Sequence, residues 1–325
     1  MARADLLVAL VQSGAGGDDL AFRRAAEALI AEEENKKHNV LASQLAEALR
    51  RKRPGPPASV TALTRNEATR GLFHEQEPER RLSDLVLLVE TRQAVSQLIE
   101  EHHRRDLLRS HGVEPRHRLL FIGPPGGGKT SLAEAVATEL AVPLLIVRYE
   151  GLIGSFLGET ASRMEALFDA VRIRPCVLFF DEFDVVAKER GDTHETGEIK
   201  RVVSSLLLQI DRLPSHVIVI AATNHAELLD RAVWRRMQLR LNLPYPTRAG
   251  KVEWLQGWSA RTGVSFGLAP RTIADRLGRV SFAELEEFAL DLQRRSILTG
   301  PEPDSAAVVQ QLLKQWTNRA SVSAE

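Results

Sequence analysis

The segment GPPGGGKTS runs through Gly123, Pro124, Pro125, Gly126, Gly127, Gly128, Lys129, Thr130 and Ser131. It follows a short apolar run and opens a helical stretch, the setting that the pattern G-x-x-x-x-G-K-[ST] requires. Glycines let backbone N–H groups close around the β- and γ-phosphates of a nucleotide. The helix N-terminus adds partial positive charge and Lys129 a full one. The Thr130 hydroxyl is suited to ligate Mg²⁺. A chain with this loop needs a buried strand before it and a helix after it.

The surrounding pattern supplies both. Arg118–Ile122, Pro143–Val147, Cys176–Phe180, Val217–Ala222 and Leu239–Leu243 are continuous apolar runs, each the length of a strand buried on both faces. Helical stripes separate them, such as Leu132, Val136 and Leu140 at four-residue spacing. The expectation is an α/β fold with a parallel five-stranded sheet flanked by helices. After Pro244 and Pro246 the strands stop. Ser281 and Glu284 form a capping box at the head of a helix striped by Leu285, Phe288, Ala289 and Leu292, and a last helix carries Val308, Leu312 and Trp316.

Residues 5–50 read as three short amphipathic helices, with stripes Leu6/Leu7/Leu10/Val11, Phe22/Ala25/Ala26/Leu29/Ile30 and Val40/Leu41/Leu45/Leu49. Arg50 to Pro57 has the composition of a linker, its basic residues either solvated or touching an acidic partner. The expected organisation is a helical N-terminal domain at 1–50, a linker at 51–81, an α/β domain at 82–244 and a helical lid at 245–325.

Two acids close the strand VLFF: Asp181, placed to hold a metal, and Glu182, placed to polarise an attacking water. Asn224 closes the next strand, where an amide can orient the same water. Arg235 and Arg236 fall between that strand and the last one. An arginine that stabilises transition-state charge can come from a neighbouring chain.

Taken together and in this order, GPPGGGKT, FFDE, ATN, the LLD…RR block and SFLGE strongly resemble the AAA family of ATPases, over roughly residues 82–295. The resemblance implies ATP and Mg²⁺ as cofactors, hydrolysis of ATP, a helical lid, and a homo-oligomeric ring, usually a hexamer, with ATP at subunit interfaces. Arg235 and Arg236 match the family's trans-acting arginine fingers. Phe156, Leu157 and Gly158 match its aromatic–hydrophobic–Gly pore loop, which grips unfolded polypeptide; the alternative packs Phe156 against its own domain. A second pore loop falls near Asp192–Gly197, with His194 and Glu195 at its tip.

Some positions depart from the family pattern. Gly127 replaces the usual threonine, and Met237 replaces the Phe after the two arginines. Asp84 is followed by Leu85, Val86 and Leu87 instead of Ile/Val-x-Gly, with Leu85 and Val86 as adenine contacts. At the lid, Ser281, Phe282 and Ala283 stand for Ser-Gly-Ala, so a ring replaces the glycine beside the adenosine.

Three functions share these motifs: a protein-remodelling motor, a regulatory switch for an effector such as a subtilisin-like protease in phage defence, and a nucleic-acid loader. Lys plus Arg equals Asp plus Glu, 43 each, and a basic excess is the usual mark of a nucleic-acid binder. That balance, with an aromatic rather than basic pore loop, weighs against the loader. No HExxH or G-x-S-x-G occurs, so any protease is a separate chain. The lone Cys176 excludes a disulfide within the chain, and no run reaches the roughly 18 apolar residues of a membrane span, so a cytoplasmic protein is expected.

Overall fold

The computed structural model describes residues 71–153, 157–187, 196–299 and 305–322, together with Ala28. The stretch expected to form N-terminal helices and the first part of the expected linker lie, Ala28 apart, outside the described residues. The described residues from Gly71 onward belong to one compact unit, Leu63–Glu325.

That unit is built on a sheet of six strands: β1 (Phe73–Gln76), β2 (Arg118–Ile122), β3 (Leu144–Val147), β4 (Cys176–Phe180), β5 (Val217–Thr223) and β6 (Leu239–Asn242), in the order β1-β3-β4-β5-β2-β6. The five from β2 to β6 are parallel, as expected. The five-stranded expectation is corrected by β1, which pairs antiparallel with β3, Phe73 opposite Val147 and Gln76 opposite Leu144. It comes from the stretch read as linker. A four-residue edge strand with one buried apolar side chain leaves no run to detect. Its Glu75 side chain is 2% exposed and pairs with Arg174.

Every residue of β4 and β5 is buried, which is why those segments read as unbroken apolar runs. The period of two divides the core between the sheet's faces. On one face, Leu119, Phe121, Val177, Phe179, Ile218 and Ile220 pack with Val95 and Leu98 of α1 (Val89–His103). Leu132 and Val136 of α3 (Lys129–Glu139) join them; α2 (Arg105–Ser110) follows α1. On the other face, Leu120, Leu178, Phe180 and Val219 pack against three helices. These are α5 (Leu157–Arg172), α7 (Thr196–Asp211) and α8 (Arg231–Arg236). Short helices α4 (Tyr149–Leu152) and α6 (Asp184–Ala187) follow β3 and β4.

Four further helices, those expected as the lid, surround a core of their own: α9 (Arg248–Thr262), α10 (Pro270–Arg276), α11 (Phe282–Thr299) and α12 (Ser305–Val322). Leu255, Trp258, Phe288, Leu292 and Leu312 are central to it, and the Phe288 and Trp316 rings meet edge to face at 6.0 Å. The capping box at the head of α11 is present. The Ser281 N–H donates to Glu284 Oε2 at 2.6 Å, and the Glu284 N–H to Ser281 Oγ at 3.2 Å.

Candidate active site

A cleft of about 730 Å³ lies between the carboxyl ends of the parallel strands and the lid. Its floor is the loop that leaves β2. The Gly123 N–H donates to the Thr223 carbonyl at 3.2 Å, and a Cβ on Gly123 would lie 2.1 Å from the Leu243 carbonyl oxygen, so no larger residue passes here. Gly126 has a φ of +69°, and a Cβ there would meet Ser281 Oγ at 2.7 Å and the Ala283 methyl at 2.9 Å. The Ala283 N–H donates to the Gly126 carbonyl at 3.2 Å. Loop and lid are thus joined through a glycine. Gly127 is also tight, since a Cβ would sit 3.0 Å from the carbonyls of Leu243 and Pro124.

Lys129 begins α3 and is 7% exposed. Its ammonium donates to the carbonyls of Gly123 and Pro124, each at 2.9 Å, and to Asn224 Oδ1 at 2.6 Å. All three donors are engaged, so an arriving phosphate oxygen exchanges with one of them. Burial pushes the ammonium pKa below its ordinary value, against the pull of Asp181, Asp184 and Glu182.

Asp181 follows β4, its Oδ2 accepting from the Thr130 hydroxyl at 3.3 Å and its Oδ1 from the Glu182 N–H at 3.0 Å. Glu182 has a φ of +48°, a left-handed conformation that costs a non-glycine residue about 1–2 kcal/mol. Its neighbour holds it there: the Phe183 N–H donates to the Ala222 carbonyl at 2.8 Å, and the Phe183 ring is fully buried. Such strain concentrates at functional sites. The Thr130 hydroxyl and Asp181 carboxylate are hard oxygen donors on adjacent elements. That small donor set fits Mg²⁺, which keeps most of its waters.

Of the residues expected from sequence, Leu85, Val86, Pro125 to Ser131, Asp181, Glu182, Asn224, Phe282 and Ala283 line the cleft. Gly123 and Pro124 lie behind Lys129 and present their carbonyls to it; Ser281 caps α11. Arg235 and Arg236 do not line it. Phe156 lies outside the described residues, as do His194 and Glu195. Leu157 and Gly158 begin α5, and Met164, Leu167 and Phe168 anchor that helix in the core.

Several lining residues escape sequence reading. Trp254 and Trp258 of α9, which no motif marks, pack with the C-terminal helical core and also line the cleft with Arg261, Thr262 and Glu286. Arg80, ahead of the domain boundary, donates from Nη1 to Ser131 Oγ at 2.7 Å, while the N–H groups of Glu79 and Arg80 bond Glu134 Oε1, each at 3.2 Å. The Tyr149 hydroxyl is buried and has no hydrogen-bond partner among the described residues. Burial first, and then the acids Asp181, Asp184 and Glu182, raise its pKa.

A parallel sheet, a glycine loop running from strand into helix, and an acid pair one strand away define a P-loop nucleoside triphosphatase. Residues 119–245 match the family model described as the ATPase family associated with various cellular activities (AAA). The chain is 40% identical over 290 residues to an AAA family ATPase of Sinorhizobium fredii, y4kL, itself uncharacterised; the match covers 88% of this chain and 87% of that one. The chain belongs to the AAA family and is an ATP-binding ATPase. A cell division cycle protein 48 homolog of Archaeoglobus fulgidus is 37% identical over 153 residues, 46% of this chain and 21% of that protein. The ATP-dependent zinc metalloprotease FtsH 3 of Sphaerobacter thermophilus is 31% identical over 216 residues, 65% of this chain and 44% of that one. The chain spans less than half the length of these last two relatives. Among the described residues no helix is long and apolar enough to cross a membrane.

Proposed function

We propose that this ATPase works as a homo-hexameric ring that remodels polypeptides, gripping them through Phe156, Leu157 and Gly158. The observation that carries the reading is the division of the site. Lys129, Thr130, Asp181, Glu182 and Asn224 gather at one edge of the sheet, whereas Arg235 and Arg236 lie away from their own cleft. A neighbouring copy is the natural source of the missing positive charge. AAA ATPases usually form rings, and this chain's likeness to an ATP-dependent protease supports work on polypeptide.

In this reading the loop amides and Lys129 hold the phosphates, and Glu182 takes a proton from the attacking water while Asn224 orients it. Thr130 and Asp181 would hold Mg²⁺, which would supply positive charge beside the phosphate oxygens. Leu85, Val86 and Phe282 enclose the base. A planar ring such as Phe156 contacts passing side chains with little sequence preference.

The test is Phe156→Ala, assayed with a permanently unfolded fluorescent polypeptide and, in parallel, for phosphate release. Lost processing with ATP turnover retained supports the motor. Unchanged processing sinks it and favours a switch that acts through a separate effector.

A further inference from the structure

The two adjacent arginines are not equivalent in their surroundings. Successive residues on a helix point about 100° apart. Arg236 turns back onto its own chain. Its Nε donates to Asp211 Oδ2 at 2.6 Å and its Nη1 to the Ala232 carbonyl at 3.1 Å. The other Asp211 oxygen accepts from Arg118 Nη1 at 2.8 Å. One carboxylate at the end of α7 therefore holds two guanidiniums, and all three side chains are between 20% and 33% exposed.

Just beyond α8 the chain is fastened to the start of β2. The Gln238 N–H donates to the Arg118 carbonyl at 2.9 Å, and its Oε1 accepts from the N–H groups of His117 at 2.9 Å and Arg118 at 3.1 Å. Arg118 begins β2 and Gly123 follows its end, so roughly 17 Å of strand separates the Arg236 anchor from the phosphate loop. On the other side of Arg235, Trp234 is held by Arg240, whose guanidinium lies 5.5 Å from the indole centre and donates to the Trp234 carbonyl. Arg235 lies between these two fastened residues. It is exposed and makes no hydrogen bond or ion pair among the described residues.

We infer that Arg236 is a positioning residue, latched by Asp211, that fixes the pose of α8 and so aims Arg235, the arginine left to serve the family's trans-acting role. This rests on the ring reading above. For Arg236 to act across an interface it would have to abandon a half-buried carboxylate, whereas Arg235 gives up only water. Its guanidinium is free to stabilise charge on the phosphate oxygens.

The experiment measures ATP turnover and nucleotide affinity of the full chain as Arg235→Ala, Arg236→Ala, Asp211→Asn and Asp211→Glu, with folding checked by circular dichroism. Arg235→Ala should lose about 10³-fold in kcat with affinity unchanged, the scale of a lost arginine finger. Arg236→Ala and Asp211→Asn should each lose about tenfold in kcat with KM unchanged, less than the roughly 100-fold that a misplaced group can cost. The double variant should be no worse than either single one, because the pair acts as a unit. Asp211→Glu should recover most of the loss, which a general packing defect would not predict.

Subunit mixing separates the two ideas. Arg235→Ala and Glu182→Gln chains, each inactive alone, should regain turnover when mixed if the arginine comes from a neighbour. An Arg236→Ala loss as deep as that of Arg235→Ala, with Asp211→Asn unaffected, overturns the latch while leaving the ring intact. An unchanged kcat in Arg235→Ala overturns the trans-acting arginine and the latch together.

Discussion

The cleft has two walls built on different physics. On the sheet side, the surface is mostly backbone, with one buried ammonium and the Asp181 carboxylate held by hydrogen bonds of 2.6–3.3 Å and Glu182 fixed beside them by its backbone. On the lid side, Trp254, Trp258 and Phe282 present ring surface carried on a separate core, joined to the loop at the Gly126–Ala283 bond. Directional groups set by covalent neighbours act on charge. Apolar surface set by tertiary packing acts on shape. The expectation is that changes on the first wall abolish function and changes on the second tune it.

The largest effect should come from Glu182→Gln. It keeps the shape of the left-handed residue but removes the base, so phosphate release should fall about 10²–10⁴-fold while ATP still binds. Its native mass with ATP–Mg²⁺ should be that of a ring, and with ADP that of smaller species. A monomer under both conditions, despite ATP binding, would remove the shared interface. Next comes Lys129→Ala. Truncating a buried, fully bonded ammonium costs about 2–5 kcal/mol in contacts of this kind, so calorimetry should find ATP affinity lowered at least about 30-fold. A smaller loss than on the lid wall would reverse the comparison.

Gly126→Ala tests the seam. The methyl would enter a site at φ +69° already filled by Ser281 Oγ and Ala283, and both strain and lid displacement oppose it. Lid displacement that costs the bound state about 1–2 kcal/mol more than the free one lowers nucleotide affinity roughly 5–30-fold. Thermal stability should drop as well, because the strain is present without ligand. Affinity lost with stability unchanged would mean that the lid moves freely from the loop.

The sheet-side wall was legible in the sequence because its parts are contiguous. Lys129 and Thr130 belong to one motif, Asp181 and Glu182 end a run of buried residues, and Asn224 ends another. Strand ends that follow unbroken apolar segments are brought together by the sheet itself. The lid-side wall was legible only at the turn Ser281, Phe282 and Ala283. Trp254 and Trp258 share a helix face four residues apart, a spacing that says "buried" without saying against what. Arg80 reaches Ser131 across 51 residues, and no local signal marks it. Strand β1 hid for a different reason. Its Glu75 pairs through Oε1 with Arg174, a contact 99 residues away in sequence that no local pattern announces, while Oε2 is buried without a hydrogen-bond partner among the described residues.

The smallest effect separates the walls most finely. Phe282 is partly buried, packs against the lid core and lines the cleft. Replacing it with alanine removes a ring face from the nucleotide side and leaves Lys129, Asp181 and Glu182 untouched. An aromatic contact contributes about 0.5–1.5 kcal/mol beyond its area, so the affinities for ADP and ATP should both fall about 2–13-fold. The two nucleotides should lose equally, since the change lies away from the γ-phosphate, and kcat at saturation should hold. Stacking is tolerant of base identity, so the ratio of ATP to GTP affinity should stay within about twofold. Titration of the variant with all three nucleotides decides this. A loss confined to ATP would place Phe282 in lid closure driven by the γ-phosphate. No loss at all would mean that the ring serves the lid core alone and that Trp254 and Trp258 form the base wall without it.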